Sequence, residues 1–424
     1  MLYGNANHGS GTKVKGVTQI PARPVGARQA TLRTINLSTV ARAVFAAPGS
    51  LTRADIAGAS GLTRSTVSRL VDQLVAGGIL GEGDPARPQG RGRPGVPLGP
   101  AEGTFVSIGL EANVGYLAAT AIDLTGTVLA HRMVQEDLAA SDPDATLHRL
   151  AALGKEVLRQ APNRLLGVRV ALPGIVDRGA GILLRAPNLR WREVDVRATL
   201  AGLAPEGSVV GVANEADCAA MTIAHRLPGS LDPDLESFMY VSGNVGIGSA
   251  TVTAGRMFGG DHGWAGELGH VCVDPDGPAC GCGARGCLEA IIGRSALLRS
   301  SGHDTWEALL AAAGTPGPRL ESTLERAGRA LGVALSGALN LLDLSEVVLG
   351  GHLAALAPAL LPTVTDELDR RVLAAPFAPV CVRTRTTRDA AGALGAAYLG
   401  VLDMLDDPAT ILDRAQAPAP DTRT

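Results

Sequence analysis

A chain of 424 residues, 46% apolar but only 3% aromatic, has room for two or three domains and must fill its cores with aliphatic side chains. Its net charge of −3 conceals an asymmetry: residues 1–99 carry twelve Lys/Arg against four Asp/Glu, a net of +8, and the remainder is −11. A basic front end on an acidic body points to a polyanion-binding module. No apolar run is long enough to span a bilayer and the polar N-terminus shows no signal peptide, so a cytoplasmic protein with no membrane partner is expected.

Residues 1–31 are rich in Gly, Asn, Thr and Arg without a sustained period and read as a disordered basic tail. From Arg33 a helical period begins, with Leu37, Val40, Ala41 and Val44 on one face until Pro48–Gly49 stops it. Thr52-Arg-Ala-Asp55 is a capping-box variant that opens a short second helix, and Ser60–Gly61 supplies a turn. Thr63 then caps a third helix, whose buried stripe is Val67, Leu70, Val71 and Leu74. Ser65, Ser68, Arg69 and Asp72 fall about 200° away around that helix. This polar face is free to lie in a major groove, with Arg64, Ser65 and Thr66 at its leading end and Ser68 and Arg69 behind them. Gly77–Gly78 ends the helix and Ile79–Leu80 begins a wing strand, so residues 32–82 read as a winged helix-turn-helix binding double-stranded DNA. A plain three-helix bundle with a solvated face is the alternative, and the local positive charge weighs against it.

Residues 83–102 form a wing tip and linker, since residues 83–100 hold five glycines and five prolines. Arg91 and Arg93, set in Gly90-Arg-Gly-Arg-Pro94, make a narrow basic strip suited to an A·T-rich minor groove and resembling the core of AT-hooks. Beyond residue 103, two strand pairs, a helix near 143–160 and a strand at Leu166–Leu172 indicate an α/β domain.

The stretch from Glu267 to Glu289 carries the densest chemistry. Glu267-x-x-His270 precedes Cys280, Cys282 and Cys287, arranged C-x-C-x4-C among Gly281, Gly283 and Gly286. Three thiolates and one imidazole complete a tetrahedral set for structural Zn2+. Cys272 and His262 compete with His270 for the fourth position. A disulfide is disfavoured, because Cys280 and Cys282 are too close to bridge comfortably.

Gly243–Asn244–Val245–Gly246–Ile247–Gly248, Gly255–Arg256, Gly259–Gly260, Glu267-Leu-Gly-His270 and the cysteine array together resemble the signature of the ROK family of bacterial sugar kinases and sugar-responsive repressors. The string from Ala54 to Leu80 likewise resembles the winged helix-turn-helix at the front of ROK repressors. The resemblance implies a two-lobed, actin-like (hexokinase-like) fold over residues 103–405. Lobe one would be 104–213 completed by a helix near 389–402, lobe two 214–385, and 406–424 a disordered tail. It also implies that His270 is both zinc ligand and sugar contact, which favours it over Cys272 and His262. Gly174, Asn188, Asn214, Glu215, Glu267 and Glu289 would join His270 at a sugar or sugar-phosphate effector.

Two departures set the chain apart from the kinases of that family. Glu111-Ala-Asn113-Val114-Gly115 stands where those kinases carry D-x-G-G-T, so a branched Val114 blocks the backbone approach to phosphate that glycine permits. Glu215 stands where they carry the aspartate that takes the sugar proton, and displacing a base by about an ångström costs on the order of 100-fold in rate. Asp217 is the conceivable substitute. The expectation is therefore a non-enzymatic, homodimeric or homotetrameric repressor of carbohydrate genes with no ATP requirement. An active sugar kinase bearing a DNA-binding domain is the rival, and a DNA-binding protein controlled by a partner protein is a third reading.

Overall fold

The structure, a computed structural model, describes residues 25–84, 95–161, 163–204, 210–386 and 389–416. Its front module is α1 (Val25–Ala46), α2 (Arg53–Ser60), α3 (Arg64–Ala76) and a wing of β1 (Leu80–Glu82) paired antiparallel with β2 (Leu98–Pro100). Thr52 and Asp55 form the reciprocal capping box that starts α2, Gly61 takes the left-handed turn at φ 70°, and the Thr63 hydroxyl caps α3. The Arg53 guanidinium pairs with Asp72 on α3 and Glu82 on β1, pinning the three pieces together.

Two boundaries of the front module differ from the sequence reading. Helix α1 begins at Val25, inside the segment expected to be a tail; in the sequence Val25 and Leu32 fall on one side of a helix and Ala27 and Ala30 on the other, so no stripe announces it. Residues 98–100 of the expected linker are the second wing strand, and Leu98 also bridges Leu51. Residues 85–94, which include Arg91 and Arg93, lie outside the described residues.

The body opens with β3 (Phe105–Ala112), β4 (Tyr116–Ile122), β5 (Val128–Gln135), α4 (Pro143–Gln160) and β6 (Arg164–Leu172). A three-stranded flap follows, β7 (Ile175–Asp177), β8 (Ile182–Ala186) and β9 (Trp191–Asp195), and then α5 (Val196–Leu200) and β10 (Val210–Asn214). The lobe-one sheet runs β10-β6-β3-β4-β5, parallel on the β10/β6/β3 side and antiparallel on the other. Helix α6 (Glu215–Ala224) leads through the small hairpin β11 (His225–Leu227) and β12 (Ser230–Leu231) into β13 (Phe238–Gly243), β14 (Ile247–Thr253) and β15 (Arg256–Met257).

After the cysteine loop come α7 (Leu288–Ile292), α8 (Arg294–Ser301), α9 (Trp306–Ala313) and α10 (Pro318–Leu342). Next are β16 (Glu346–Gly350), α11 (Gly351–Arg371), β17 (Cys381–Thr384), α12 (Ala391–Asp406) and α13 (Pro408–Gln416). The lobe-two sheet, β15-β14-β13-β16-β17, repeats the parallel/antiparallel pattern of lobe one. Two sheets of the same plan, with α6 and α12 crossing between them, give the α/β actin-like layout. The crossing is tight: a Cβ on Gly395 would lie 1.7 Å from the Cys218 carbonyl oxygen, a gap that only glycine leaves open.

The front module shares one core with the body. Val40, Val44 and Phe45 of α1 and Leu70 and Leu74 of α3 pack in a cluster with Ile122, Val401, Leu405, Ile411 and Leu412. Residues 408–416 are accordingly a packed helix, not part of a C-terminal tail. With so few apolar residues, α13 reads as polar until its partners are seen.

Candidate functional site

On α3 the side chains expected to meet DNA divide in two. Arg64, Ser65 and Arg69 are exposed. Ser68 is half-buried, and the half-buried Thr66 shares its hydroxyl with Thr63 at 2.8 Å within the cap. Asp72, on the same polar stripe, is tied at 2.7 Å to Arg53 and so holds α2 against α3.

The interlobe cleft has a volume of about 290 Å³. It collects all seven residues expected at a sugar: Gly174, Asn188, Asn214, Glu215, Glu267, His270 and Glu289. Asn214 ends β10 and caps α6 with its side-chain oxygen, while its amide donates to the Gly174 carbonyl at 2.9 Å. Glu289 accepts the Ile247 N–H at 2.9 Å. A Cβ on Gly246 would lie 2.2 Å from that carboxylate and 2.6 Å from the Asn188 amide, so a bare backbone here lets the two lobes' polar groups converge. Burial pushes the Glu267 carboxyl above its usual range, partly opposed by His270. Carboxylates and amides that converge in this way match the donors and acceptors of sugar hydroxyls.

At the kinase-like end, Asn113 donates to Glu215 at 2.6 Å. Tyr116 donates to Glu111 at 2.6 Å, and the Ala393 N–H reaches the other Glu111 oxygen at 2.8 Å. Burial, and then the neighbouring Glu111, push the Glu215 carboxyl up to about 8. Val114 lines the cleft beside them. Tyr116 and the amide role of Asn113 were not anticipated from sequence; the only signal was the loss of the glycine pair. Asp217 is 4% exposed and held by Arg178, which reaches across from the β7–β8 turn.

The ligand atoms of His270, Cys280, Cys282 and Cys287 all lie within 4.8 Å of one another. Cys280 Sγ is 3.8 Å from His270 Nδ1, and Cys282 Sγ is 3.7 Å from Cys287 Sγ. Zinc with bonds of about 2.0–2.3 Å has tetrahedral edges of roughly 3.5–3.8 Å, so the donor set fits such an ion. His262 instead stacks on Trp264 and is exposed, and Cys272 is exposed outside the group. His270 Nε2 points the other way, 3.8 Å from Glu267. Gly286, at φ 68°, lets the loop close, since a Cβ there would lie 1.7 Å from the Asp274 oxygen.

Residues 107–401 match the ROK family, and residues 39–82 match the IclR helix-turn-helix domain. The chain belongs to the ROK family. Among its relatives, the xylose repressor of Bacillus subtilis is 27% identical over 329 residues, covering 76% of this chain and 83% of that protein. The DNA-binding transcriptional dual regulator NagC of Escherichia coli K12 is 27% identical over 374 residues, covering 84% and 90%. A solved ROK family transcriptional regulator, a homologue of the E. coli MLC protein, superposes with a TM-score of 0.76 at 22% identity, over 90% of this chain and 99% of that one. The ROK hexokinase of Thermus thermophilus gives 0.57 at 28% identity, over 70% and 99%. The regulator therefore covers a larger share of this chain than the kinase does. No helix among the described residues is long and apolar enough to cross a membrane.

Proposed function

We propose that this chain is a DNA-binding transcriptional repressor of carbohydrate genes, controlled by a sugar held in the interlobe cleft. The observation that carries the reading is the course of α12. Its first residues, Ala391 and Gly392, line the cleft, and its later residues, Val401 and Leu405, sit in the core of the DNA-binding module. A 16-residue helix is about 24 Å long, so one rigid element joins effector and DNA-reading parts. A sugar that alters the fit between the lobes tilts this rod and with it α3, changing the spacing of recognition helices in a dimer on its half-sites.

Zinc has a structural role in this account: held by His270 Nδ1 and the three thiolates, it fixes the ring so that Nε2 faces the sugar, and it anchors Glu289 two residues beyond Cys287. Phosphoryl transfer is not part of the function. A Glu215 carboxyl pushed up to about 8 is protonated at neutral pH and already holds the Asn113 amide, so it is a poor base, and Val114 obstructs the phosphate approach. The test is selection of bound duplexes from a random pool at fixed salt. A preferred operator should emerge, and Arg69→Ala should lose about 1–3 kcal/mol of discrimination at one position. Equal binding of all duplexes by the unaltered protein would refute the proposal.

A further inference from the structure

Helix α12 begins without a cap of its own. Ala390 stands at its N-cap position in the left-handed region, at φ 54°, and offers no side-chain acceptor. The first N–H groups of the helix therefore need a partner from elsewhere. Glu111 on β3 supplies it, one carboxyl oxygen accepting the Ala393 N–H at 2.8 Å. A Cβ on Gly392 would lie 2.6 Å from the Glu111 carboxyl carbon, so the carboxyl sits against bare backbone. Alternation along the strand puts Ser107 and Gly109 on the same face of β3 as Glu111, and both meet α12. The Ser107 hydroxyl donates to the Ala397 carbonyl at 2.7 Å, and a Cβ on Gly109 would lie 1.8 Å from the Ala393 oxygen. Helix α12 thus rides on β3, with Glu111 at the cleft end of the track.

The other Glu111 oxygen accepts from Tyr116, which lines the cleft together with Asn113 and Glu215. Among the described residues no lysine or arginine lines the cleft, so the positive end of the α12 dipole is the electrostatic partner this carboxyl has. Burial pushes the Glu111 carboxyl above its usual range, and Tyr116, the Ala393 N–H and the Asn113 amide oppose it. That same Asn113 amide is held by Glu215 at 2.6 Å. A chain of polar groups therefore runs from Glu215, a proposed sugar contact, through Asn113 to Glu111 and the start of α12.

We infer that Glu111 is the positioning residue through which an occupied sugar cleft moves α12, and that it does so without touching the sugar. This rests on the reading of the cleft as the effector site. Glu111 is only 2% exposed, whereas Glu215 is half-buried on the cleft wall. A sugar hydroxyl that engages Glu215 competes with Asn113 for its oxygen. The freed amide turns to Glu111 and weakens its hold on the Ala393 N–H, and α12 shifts along β3. Val401 and Leu405 carry that shift into the core that supports α1 and α3.

The test separates sugar binding from the response to it, in the full chain. Calorimetric titration with a panel of neutral aldohexoses and aldopentoses measures the first. Anisotropy of the selected operator with the same sugars measures the second. Glu111→Gln, with its unfolding temperature confirming that it folds, should keep sugar affinity within threefold of the unaltered protein. The sugar-induced shift in its operator affinity should be at least fivefold smaller. Amide exchange needs no variant at Glu111: the same sugar should speed exchange of the Ala393 N–H threefold or more in the unaltered protein and not in Glu267→Gln. A smaller reduction of the operator shift in Glu111→Gln overturns the inference. So does a loss of sugar affinity beyond threefold in that variant, which would make Glu111 a sugar contact, or unchanged exchange at Ala393. If no sugar moves the operator even in the unaltered protein, the reading of the cleft fails and the inference falls with it.

Discussion

At the scale of single residues, the proposed sugar contacts and the proposed metal ligands overlap only at His270. Glu267 borders His270 without belonging to the metal set, so Glu267→Gln should retain zinc yet lose roughly 1.5–3 kcal/mol of sugar affinity, the value of a hydrogen bond to a charged group. His270→Ala should lose both. Metal analysis by mass spectrometry beside sugar titration checks the pair, and a Glu267→Gln protein with unchanged sugar affinity would place the ligand elsewhere. Glu215 makes a prediction about pH. Its folded pKa of about 8 exceeds the ordinary value of 4.5, so the folded state binds the extra proton. Stability from this group is therefore greatest below about 4.5 and falls as pH rises towards 8, by at most about 1.4 kcal/mol per pH unit. Glu215→Gln should remove that fall, so denaturation curves of the two proteins should diverge with rising pH. Parallel curves would mean the carboxyl is ionised throughout.

At the scale of elements, legibility followed the strength of the local pattern. Helix α3 was readable because Val67, Leu70, Val71 and Leu74 repeat at helical spacing and Thr63 and Gly77 bracket them. The grouping of His270 with Cys280, Cys282 and Cys287 was readable because thiolates so close in sequence, on a glycine-rich loop, are readily gathered at one point. Helix α13 was not, since Ile411 and Leu412 gain meaning only from α1 and α3, distant in sequence. The tie between Asn113 and Glu215 was hidden for the same reason: the two residues are 102 positions apart. Leu412 is the direct check on α13, because a Cβ on Gly77 would lie 2.0 Å from its side chain. Leu412→Ala should cost about 2–5 kcal/mol of stability, as buried leucines do. A cost near zero in chemical denaturation would restore the reading of this segment as a tail.

At the scale of the whole molecule, the ROK body and the winged module form one packed unit, with α12 running from the cleft to the shared core. The central claim is that a sugar in the cleft changes how the chain holds DNA. Anisotropy of a labelled operator, selected as described above, measures it directly at fixed salt, with a panel of neutral sugars added to the unaltered protein and to Glu267→Gln. The account predicts that one sugar shifts operator affinity by tenfold or more in the unaltered protein and leaves the Glu267→Gln complex unmoved. An identical shift in both proteins would contradict it.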